Sequence, residues 1–241
     1  MLKAIADILF PKYCLVCGKP GFSICSYCKK KLIPSIPECY LCRRISNGYK
    51  THSNCKKDLS LDFLFYAWRY TSISSGLIKV LKYKGAFNIQ NELGELLKER
   101  LLQTKFLENF KNPLLIPLPL HKKRLKERGF NQTELIGIEI SRLFNIPYDT
   151  SLLKRDLYSS PQAKKDVMER QVLDKRTFSF DHSKYLKDYK SKEIILVDDV
   201  ITTGTTLDIA CKAIKKSNKD IKVSAIGLFR GSPDYSSNPS A

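Results

Sequence analysis

The chain has 241 residues, which is enough for one full domain and a smaller appendage. Hydrophobic residues make up 43% of it, and Gly and Pro occupy only 11 positions each, a composition that excludes a disordered or fibrous protein. Lys and Arg number 42 against 24 acidic residues, so the net charge of +18 favours polyanionic partners such as nucleic acid, anionic lipid or phosphorylated small molecules.

The first ten residues contain apolar positions, Leu2, Ile5, Ile8 and Leu9 among them, at a spacing typical of a short amphipathic helix. Asp7 interrupts this run and no small-residue cleavage site follows, which argues against a secretory signal. No stretch of about 18 apolar residues occurs, which argues against a membrane span. We therefore expect a cytoplasmic protein whose first helix packs on the neighbouring domain.

Seven of the eight cysteines fall within the first 55 residues, in three C-x-x-C pairs and one H-x-x-C pair. Two intervening residues let a tight turn aim both ligand atoms at one metal ion, and eight ligands suffice for two tetrahedral zinc sites. With four protein ligands each, both sites would be structural. The expected ligands are Cys14, Cys17, Cys25, Cys28, Cys39, Cys42, His52 and Cys55.

Which pairs share a metal ion is a separate question. The loops between successive pairs are short, and short loops favour local closure, so we prefer a sequential arrangement to a cross-braced one. Residues 14–28 would then hold one ion and residues 39–55 the other. Disulfide bonds fit this spacing poorly in a reduced compartment, and we prefer structural zinc to a redox dithiol. Cys211, on a predicted helix, is expected to be a small buried residue.

The cysteine-rich segment is also basic: residues 1–60 carry eleven Lys or Arg and three acids, a net charge of +8. Lys29, Lys30 and Lys31 follow one cysteine pair directly, and Arg43 and Arg44 follow another. These bases are candidates for a nucleic-acid surface, the alternative being ordinary solvated charge. Interleaved aromatics could stack on unpaired nucleotides or fill the module's own core. The aromatics are Tyr13, Phe22, Tyr27, Tyr40 and Tyr49.

Past residue 60 the chain alternates between apolar, strand-like runs and segments with helical spacing. The runs predict strands at 63–68, 114–116, 194–197 and 223–229, and helices around 77–81, 91–106, 133–144 and 206–216. Such alternation predicts an α/β fold with a parallel sheet and helices on both faces. We expect a zinc-ribbon domain at 1–60, the sheet domain at 61–231 and a flexible tail at 232–241.

The most informative stretch, residues 193–207, is an apolar strand, two acids and a hydroxyl-rich turn that opens a helix. Asp198 and Asp199, at the carboxyl end of the strand, are placed where ligands bind open α/β sheets and can accept hydrogen bonds from vicinal ribose hydroxyls. The turn offers amides and hydroxyls at a helix N-terminus, a ready site for a phosphate dianion. Its residues are Thr202, Thr203, Gly204, Thr205 and Thr206.

Two other interpretations of this stretch are weaker. A Walker B strand also ends in Val-Asp-Asp, but the chain has no G-x-x-x-x-G-K-[ST] motif, which argues against an ATPase. A purely structural strand and capped helix would not need five polar turn residues after two acids. The run resembles the phosphoribosyl pyrophosphate (PRPP) signature of type I phosphoribosyltransferases.

A second segment, residues 116–132, follows a short strand with five Lys or Arg and one acid and contains Arg-Gly-Phe-Asn-Gln. It is similar to a motif of the competence-associated ComF (ComFC) family, which this chain also resembles in its cysteine pairs and phosphoribosyl motif. The resemblance implies a type I phosphoribosyltransferase-like parallel sheet with helices on both faces, preceded by a small double zinc ribbon.

The same resemblance implies roles for individual residues. Catalytic ribose contacts fall on Asp198 and Asp199, 5-phosphate contacts on 202–206, and Mg²⁺ accompanies PRPP. Arg128 is either a phosphate ligand or a packing partner of Phe130. Residues 155–176 look like a mobile loop that closes over a bound ligand. The pyrophosphate contacts fall on Leu120, His121, Lys122, Lys123 and Arg124, although a loop histidine is more often structural.

Three functions remain open from the sequence. The resemblance favours a PRPP-binding protein that handles incoming single-stranded DNA in natural transformation. The first alternative is an active phosphoribosyltransferase, a glycosyltransferase acting on an unidentified acceptor. The second is a zinc-ribbon adaptor for other competence proteins. No segment identifies a nucleobase pocket, so the sequence does not name the acceptor.

Overall fold

The computed structural model describes residues 13–57, 59–82, 86–156, 177–189, 191–216 and 218–231, without the side chains of 86–88. The predicted N-terminal helix, the 232–241 tail and most of the 155–176 loop lie outside these ranges. The strands are β1 (Leu64–Arg69), β2 (Leu114–Pro117), β3 (Leu153–Arg155), β4 (Phe178–Phe180), β5 (Glu193–Ile201) and β6 (Lys222–Arg230). The helices are α1 (Ser26–Lys30), α2 (Ser72–Leu81), α3 (Ala86–Thr104), α4 (Lys122–Arg128), α5 (Gln132–Phe144), α6 (His182–Asp188) and α7 (Thr205–Lys215), with 3₁₀ turns at Asn47–Tyr49 and Phe106–Asn109.

Four of the strands form a parallel sheet in the order β1-β6-β5-β2. Tyr148 extends the sheet beyond β2 through a parallel bridge to Leu115. The central strands β5 and β6 are buried along most of their length because helices cover both faces. This α/β architecture confirms the prediction made from the alternation of strands and helices.

Successive residues of each strand feed two apolar cores, one on each face of the sheet. Helices α2, α3 and α5 pack on the face that carries Ile195 and Val197. Helices α6 and α7 and the antiparallel β3–β4 hairpin cover the face that carries Ile194 and Leu196. Cys211 lies in this second core with no exposed surface, as predicted.

Strand β5 is longer than its apolar run. Its pairing with β2 stops at Val197, but its pairing with β6 continues to Ile201 opposite Arg230. Asp198 and Asp199 therefore lie within the strand, although the sequence places them at its end. Both aspartates follow Val197, the last residue of β5 that pairs with β2. Beside them, the edge of β5 is therefore not covered by β2.

Four short elements have no clear sequence pattern: α1, α4, α6 and the β3–β4 hairpin. Each helix has at most seven residues and each hairpin strand has three, which is too few for a helical or alternating period to stand out. Across the described ranges, every helix is too short or too polar to cross a membrane.

Candidate functional site

The sheet changes its winding direction between β2 and β5. The connection after β2 runs through α5 on one face, whereas the connection after β5 runs through α7 on the other. The amide of Leu118 donates to the carbonyl oxygen of Val197 (2.9 Å), so β2 ends beside Val197, whereas β5 continues to Ile201. In open α/β sheets, ligands bind in the crevice formed at such a point, outside the carboxyl ends of the strands.

An acid pair, Asp198 and Asp199, follows Val197 directly, and both residues are half-buried. The Asp198 carboxylate accepts from the amide of Asp199 (2.8 Å), and the Asp199 carboxylate accepts from the amide of Val200 (2.7 Å). Burial raises the pKa of Asp198 well above its ordinary value, and the negative charge of Asp199 raises it further. Two carboxylates in this situation favour a ligand that brings positive charge or hydroxyl donors.

Residues 202–206 form a threonine bend between β5 and α7. Thr202, Thr203 and Thr205 are exposed, and the hydroxyl oxygens of Thr203 and Thr205 lie 2.8 Å apart. Gly204 is the N-terminal cap of α7 and has a φ of +87°, a left-handed conformation that glycine adopts without strain. The hydroxyls and the first amides of α7 therefore share an open surface at a helix N-terminus.

The chain after β2 forms a basic loop, residues 118–124, that leads into α4. His121 is the N-terminal cap of this helix, and its Nδ1 accepts from the amide of Lys123 (3.2 Å). Lys122 and Lys123 are exposed, whereas Leu120 and Arg124 are half-buried. Because β2 ends beside Val197 and the acid pair follows Val197 directly, the basic loop and the acid pair lie at the same edge of the sheet.

The Arg-Gly-Phe-Asn-Gln run anchors the basic loop. The side-chain amide of Asn131 and the hydroxyl of Thr133 both donate to the carbonyl oxygen of Leu118, at 3.0 and 2.7 Å. Asn131 also caps α5, since its Oδ1 accepts from the amide of Thr133 (3.3 Å). Gly129 ends α4 with a φ of +79°. Asn131 and Thr133 therefore fix the point where the basic loop leaves the sheet.

Two further cations border the acid pair and were missed in the sequence. Lys82, after the last residue of α2, has its Nζ 3.7 Å from Asp199 Oδ2. Burial lowers the pKa of the Arg155 guanidinium, the charge of Arg124 lowers it further, and Asp198 partly offsets both effects. Arg155 is thus in electrostatic reach of the basic loop and the acid pair. No sequence signal marks Lys82, because an isolated base far from a motif has no pattern, and Arg155 is marked only as the first residue of the expected 155–176 loop.

The eight expected zinc ligands form two groups in sequential order, which we call the first and second knuckle. In each group the four ligand atoms all lie within 4.8 Å of one another, so each group could hold one zinc ion. The first knuckle contains Cys14, Cys17, Cys25 and Cys28, and the second contains Cys39, Cys42, His52 and Cys55.

The surroundings of the second knuckle fit a zinc ion bound by thiolates. The amide of Arg44 lowers the pKa of the Cys42 thiol to about 6, and the amide of His52 donates to Cys39 Sγ (3.5 Å). His52 Nε2 lies 3.0 Å from the carbonyl oxygen of Ile45, so Nδ1, 3.3 Å from Cys42 Sγ, faces the group. Four protein ligands complete a tetrahedral shell, and the ion would be structural.

The two knuckles dock on different parts of the sheet domain. In the first knuckle, the amides of Ser23 and Ile24 donate to the carboxylate of Glu92 on α3, at 3.2 and 2.9 Å. In the second knuckle, the hydroxyl of Tyr40 donates to Asp208 in the first turn of α7 (2.7 Å). The second knuckle therefore adjoins the threonine bend.

The aromatic residues of the knuckles divide into a surface set and a core set. Tyr13, Phe22 and Tyr27 are 53%, 59% and 51% exposed, whereas Tyr40 and Tyr49 are buried. The ammonium groups of Lys19 and Lys31 lie 5.3 and 4.5 Å from the centre of the Tyr27 ring. Tyr27, in the first knuckle, is therefore an exposed ring flanked by two cations.

The basic residues that are candidates for nucleic-acid binding are also divided between the two knuckles. Lys30 and Lys31 are exposed and Lys29 is half-buried, all near Tyr27 in the first knuckle. Arg44 is exposed in the second knuckle. Arg43, by contrast, donates to carbonyl oxygens at the threonine bend, as described below.

Comparison with known proteins identifies the family. A profile of the phosphoribosyl transferase domain matches residues 136–230, from α5 to the end of β6. Competence protein F of Haemophilus influenzae is 33% identical over 210 residues, which cover 86% of this chain and 90% of that protein. The chain belongs to the competence protein F (ComF) family.

Two further ComF-like relatives cover a similar share of the chain. Competence protein ComFC of Bacillus subtilis is 27% identical over 226 residues, 88% of this chain and 86% of the relative. DNA utilization protein YhgH of Escherichia coli is 25% identical over 206 residues, 82% of this chain and 88% of the relative. These matches confirm the ComF resemblance drawn from the acid pair, the threonine bend and the Arg-Gly-Phe-Asn-Gln motif.

Proposed function

We propose that this ComF-family protein binds PRPP with Mg²⁺ in the crevice between β2 and β5 and handles incoming single-stranded DNA in natural transformation. The observation that carries the PRPP assignment is an open threonine bend beside the acid pair at the point where the sheet reverses its winding. The names of the relatives, competence protein and DNA utilization protein, support the DNA assignment.

The charges around the crevice suit a sugar that carries a phosphate at one end and a pyrophosphate at the other. The 5-phosphate would accept from the amides and hydroxyls of the threonine bend. The ribose hydroxyls would donate to the acid pair and relieve its mutual repulsion. Lys122, Arg124 and Arg155 would attract the pyrophosphate. Mg²⁺ prefers oxygen ligands, which the pyrophosphate, the ribose and the two carboxylates supply.

Calorimetry with PRPP and magnesium tests this assignment on the zinc-loaded full chain. We expect binding by the wild type and a loss of affinity of at least about tenfold, or 1.4 kcal/mol, when Asp198→Asn and Asp199→Asn are combined. Asp220→Asn, which changes an exposed acid elsewhere, is the matched control and should bind like the wild type. Absence of binding by the wild type, or equal affinity in the double variant, would reject the assignment.

The DNA surface is assigned to the exposed face of the first knuckle. Phe22 and Tyr27 offer rings for stacking, and Lys29, Lys30 and Lys31 offer charge for phosphates. A ring with ammonium groups beside it can hold a base and the adjoining phosphate together. In the second knuckle, Arg44 is exposed and could extend the path of the strand.

Fluorescence anisotropy with a labelled oligothymidylate tests the DNA surface. Tyr27→Ala should weaken binding about tenfold, since one base–aromatic stack contributes about 1–3 kcal/mol. Lys30→Ala should lower the slope of log affinity against log salt by about 0.7, the value for one single-strand phosphate contact. Leu186→Ala removes an even more exposed apolar side chain on α6 and should leave binding unchanged. No binding by the wild type at low salt would contradict the assignment.

A second candidate function is favoured by the cations of the basic loop and by Arg155. In a phosphoribosyl transfer, the bond between ribose C1 and the pyrophosphate oxygen breaks, its electron pair leaves with the pyrophosphate, and an acceptor atom bonds to C1. Lys122, Arg124 and Arg155 would stabilise the charge on the leaving group. Pyrophosphate release from PRPP in the presence of nucleobases or DNA would demonstrate transfer, and binding without release would restrict the protein to a PRPP-binding role.

A further inference from the structure

We propose that the second knuckle is a structural part of the phosphate site, in which Tyr40 and Arg43 act as positioning residues that set the conformation of the threonine bend. The predicted effect on PRPP affinity rests on the function proposed above. The effect on the bend itself does not, because it follows from contacts within the chain.

Tyr40 supports the bend from one side. It lies between the ligands Cys39 and Cys42 and is 2% exposed. A Cβ atom at Gly204 would lie 3.3 Å from the Tyr40 ring, so the ring rests against the left-handed residue at the centre of the bend. The Tyr40 hydroxyl donates to Asp208 Oδ1 (2.7 Å). One side chain thus touches both the cap and the first turn of α7, on either side of the amides that would receive the phosphate.

Arg43 fixes the other end of the bend. Its backbone has a φ of +60°, and its amide donates to the carbonyl oxygen of Cys39 (2.9 Å). The turn that carries the ligands Cys39 and Cys42 therefore fixes the position of the Arg43 backbone. The guanidinium donates to the carbonyl oxygens of Thr202 (2.8 Å) and Gly231 (3.4 Å). Arg43 therefore links the first residue of the bend to the residue after β6.

A buried ion pair between Arg230 and Glu38 stabilises the contacts of Tyr40 and Arg43 with the bend. The Arg230 guanidinium lies 3.0 Å from Glu38 Oε1 and donates to the carbonyl oxygen of Tyr40 (2.6 Å). Burial lowers the pKa of Arg230 to about 10, Arg43 lowers it further, and Glu38 partly offsets both. Since Glu38 and Tyr40 belong to the second knuckle, loosening the knuckle would leave a buried charge without compensation, which is unfavourable.

The first knuckle provides an internal control. It docks on α3 through Glu92, and its Val16 lies against Gly76 of α2, where an added Cβ would be 3.7 Å from Val16 Cγ1. Loss of the metal ion from the first knuckle disrupts a site of the same kind in a different part of the molecule. A general effect of zinc loss on folding would appear with either knuckle, whereas a positioning effect would appear with the second alone.

Hydrogen exchange at the amides of residues 202–206 tests the proposal without any ligand. Cys55→Ser and Cys17→Ser each remove one ligand, from the second and the first knuckle respectively, and zinc content per chain verifies the loss. We expect Cys55→Ser to accelerate exchange in the bend by at least about tenfold, equivalent to 1.4 kcal/mol, and Cys17→Ser to leave it within twofold of the wild type. Equal exchange in the bend of both variants would overturn the proposal.

A second pair of variants keeps every metal ligand. Arg43→Ala removes the contacts to Thr202 and Gly231, and Lys50→Ala removes an exposed base of the same module. Faster exchange at residues 202–206 in Arg43→Ala alone supports the proposal. Unchanged exchange in Arg43→Ala overturns it, and this comparison decides the matter if Cys55→Ser does not fold.

PRPP calorimetry on the same variants separates this proposal from the proposed function. If the wild type binds no PRPP but the bend loosens in Cys55→Ser and Arg43→Ala, the function fails and the positioning role stands. If the wild type binds PRPP and both variants bind it equally well, the positioning role is overturned. Weaker binding in both variants, with Lys50→Ala unchanged, supports the two proposals together.

Discussion

At the scale of single residues, the two neighbouring acids that we propose to bind the ligand lower the stability of the ligand-free protein. Burial and the charge of Asp199 raise the pKa of Asp198. A carboxyl group whose pKa is raised in the folded state holds its proton more tightly there than in the unfolded chain. Its contribution to stability therefore decreases as pH rises from the ordinary carboxyl pKa toward the raised value. The raised pKa reflects burial together with electrostatic repulsion, which disfavour simultaneous ionisation of both carboxyl groups in the ligand-free protein.

We expect Asp199→Asn to stabilise the ligand-free protein near pH 7. The asparagine oxygen can still accept from the amide of Val200, while the repulsion with Asp198 is lost. A gain of about 1 kcal/mol would raise the melting temperature by about 2–4 °C, measured by differential scanning calorimetry. Asp220→Asn removes an exposed acid and should shift the melting temperature by less. A lower melting temperature in Asp199→Asn would show that its ion pair with Lys82 outweighs the repulsion.

At the scale of secondary structure elements, α5 begins with a cap that also serves the functional site. Asn131 is buried, accepts from the amide of Thr133 and donates to Leu118 at the start of the basic loop. The same helix ends at Asn145, whose φ of +52° is left-handed. The two asparagines therefore have different roles. Asn131 makes side-chain hydrogen bonds, whereas Asn145 adopts the left-handed backbone conformation that ends the helix.

Asn131→Ala should lower the free energy of unfolding by about 1–2 kcal/mol, because the cap and the bond to Leu118 are both lost. Asn145→Gly should change it by no more than a few tenths of a kcal/mol, since glycine adopts the left-handed conformation readily. Urea unfolding of both variants measures the difference. An equal loss in the two variants would mean that the Asn131 side chain contributes nothing beyond its position at a helix end.

The elements also show what the sequence could predict. The apolar run of β5 and the helical spacing of α5 are local patterns, and the structure contains both. The extension of β5 to Ile201 depends on pairing with β6, which no local pattern contains. The ion pair of Lys82 with Asp199 and the electrostatic influence of Asp198 on Arg155 depend on the fold in the same way. Tyr40 between two metal ligands is indistinguishable in sequence from a stacking residue, and its burial against Gly204 becomes visible only in the folded chain.

At the scale of the whole molecule, a chain of net charge +18 depends on well-placed acids for its stability. Asp149 connects the segment after Tyr148 to α6. Burial alone would raise the pKa of Asp149, but hydrogen bonds from Ser151, Tyr189 and Lys184 outweigh it and lower the pKa to about 2. A carboxyl group with a lowered pKa stabilises the folded state above its ordinary value of 3.8, and this contribution is lost as pH falls toward 2.

We therefore expect Asp149→Asn to lower the free energy of unfolding by up to about 2 kcal/mol at pH 7, with the difference from the wild type vanishing by about pH 2. Chemical denaturation across this pH range measures both. Glu99→Gln, at an exposed acid of α3, should follow the wild-type curve throughout. A constant difference between Asp149→Asn and the wild type at all pH values would show that packing, not charge, carries the effect.

The position of β1 at the edge of the sheet has a consequence for biosynthesis. Within the sheet β1 pairs with β6, the last strand of the described residues, and more than 150 residues separate Leu64 from its register partner Ala225. During translation, this side of β1 stays unpaired until β6 has left the ribosome. A nascent chain that stops short of β6 therefore leaves the β6 side of this apolar strand unpaired, and only its other side can bond, to residues 33–35.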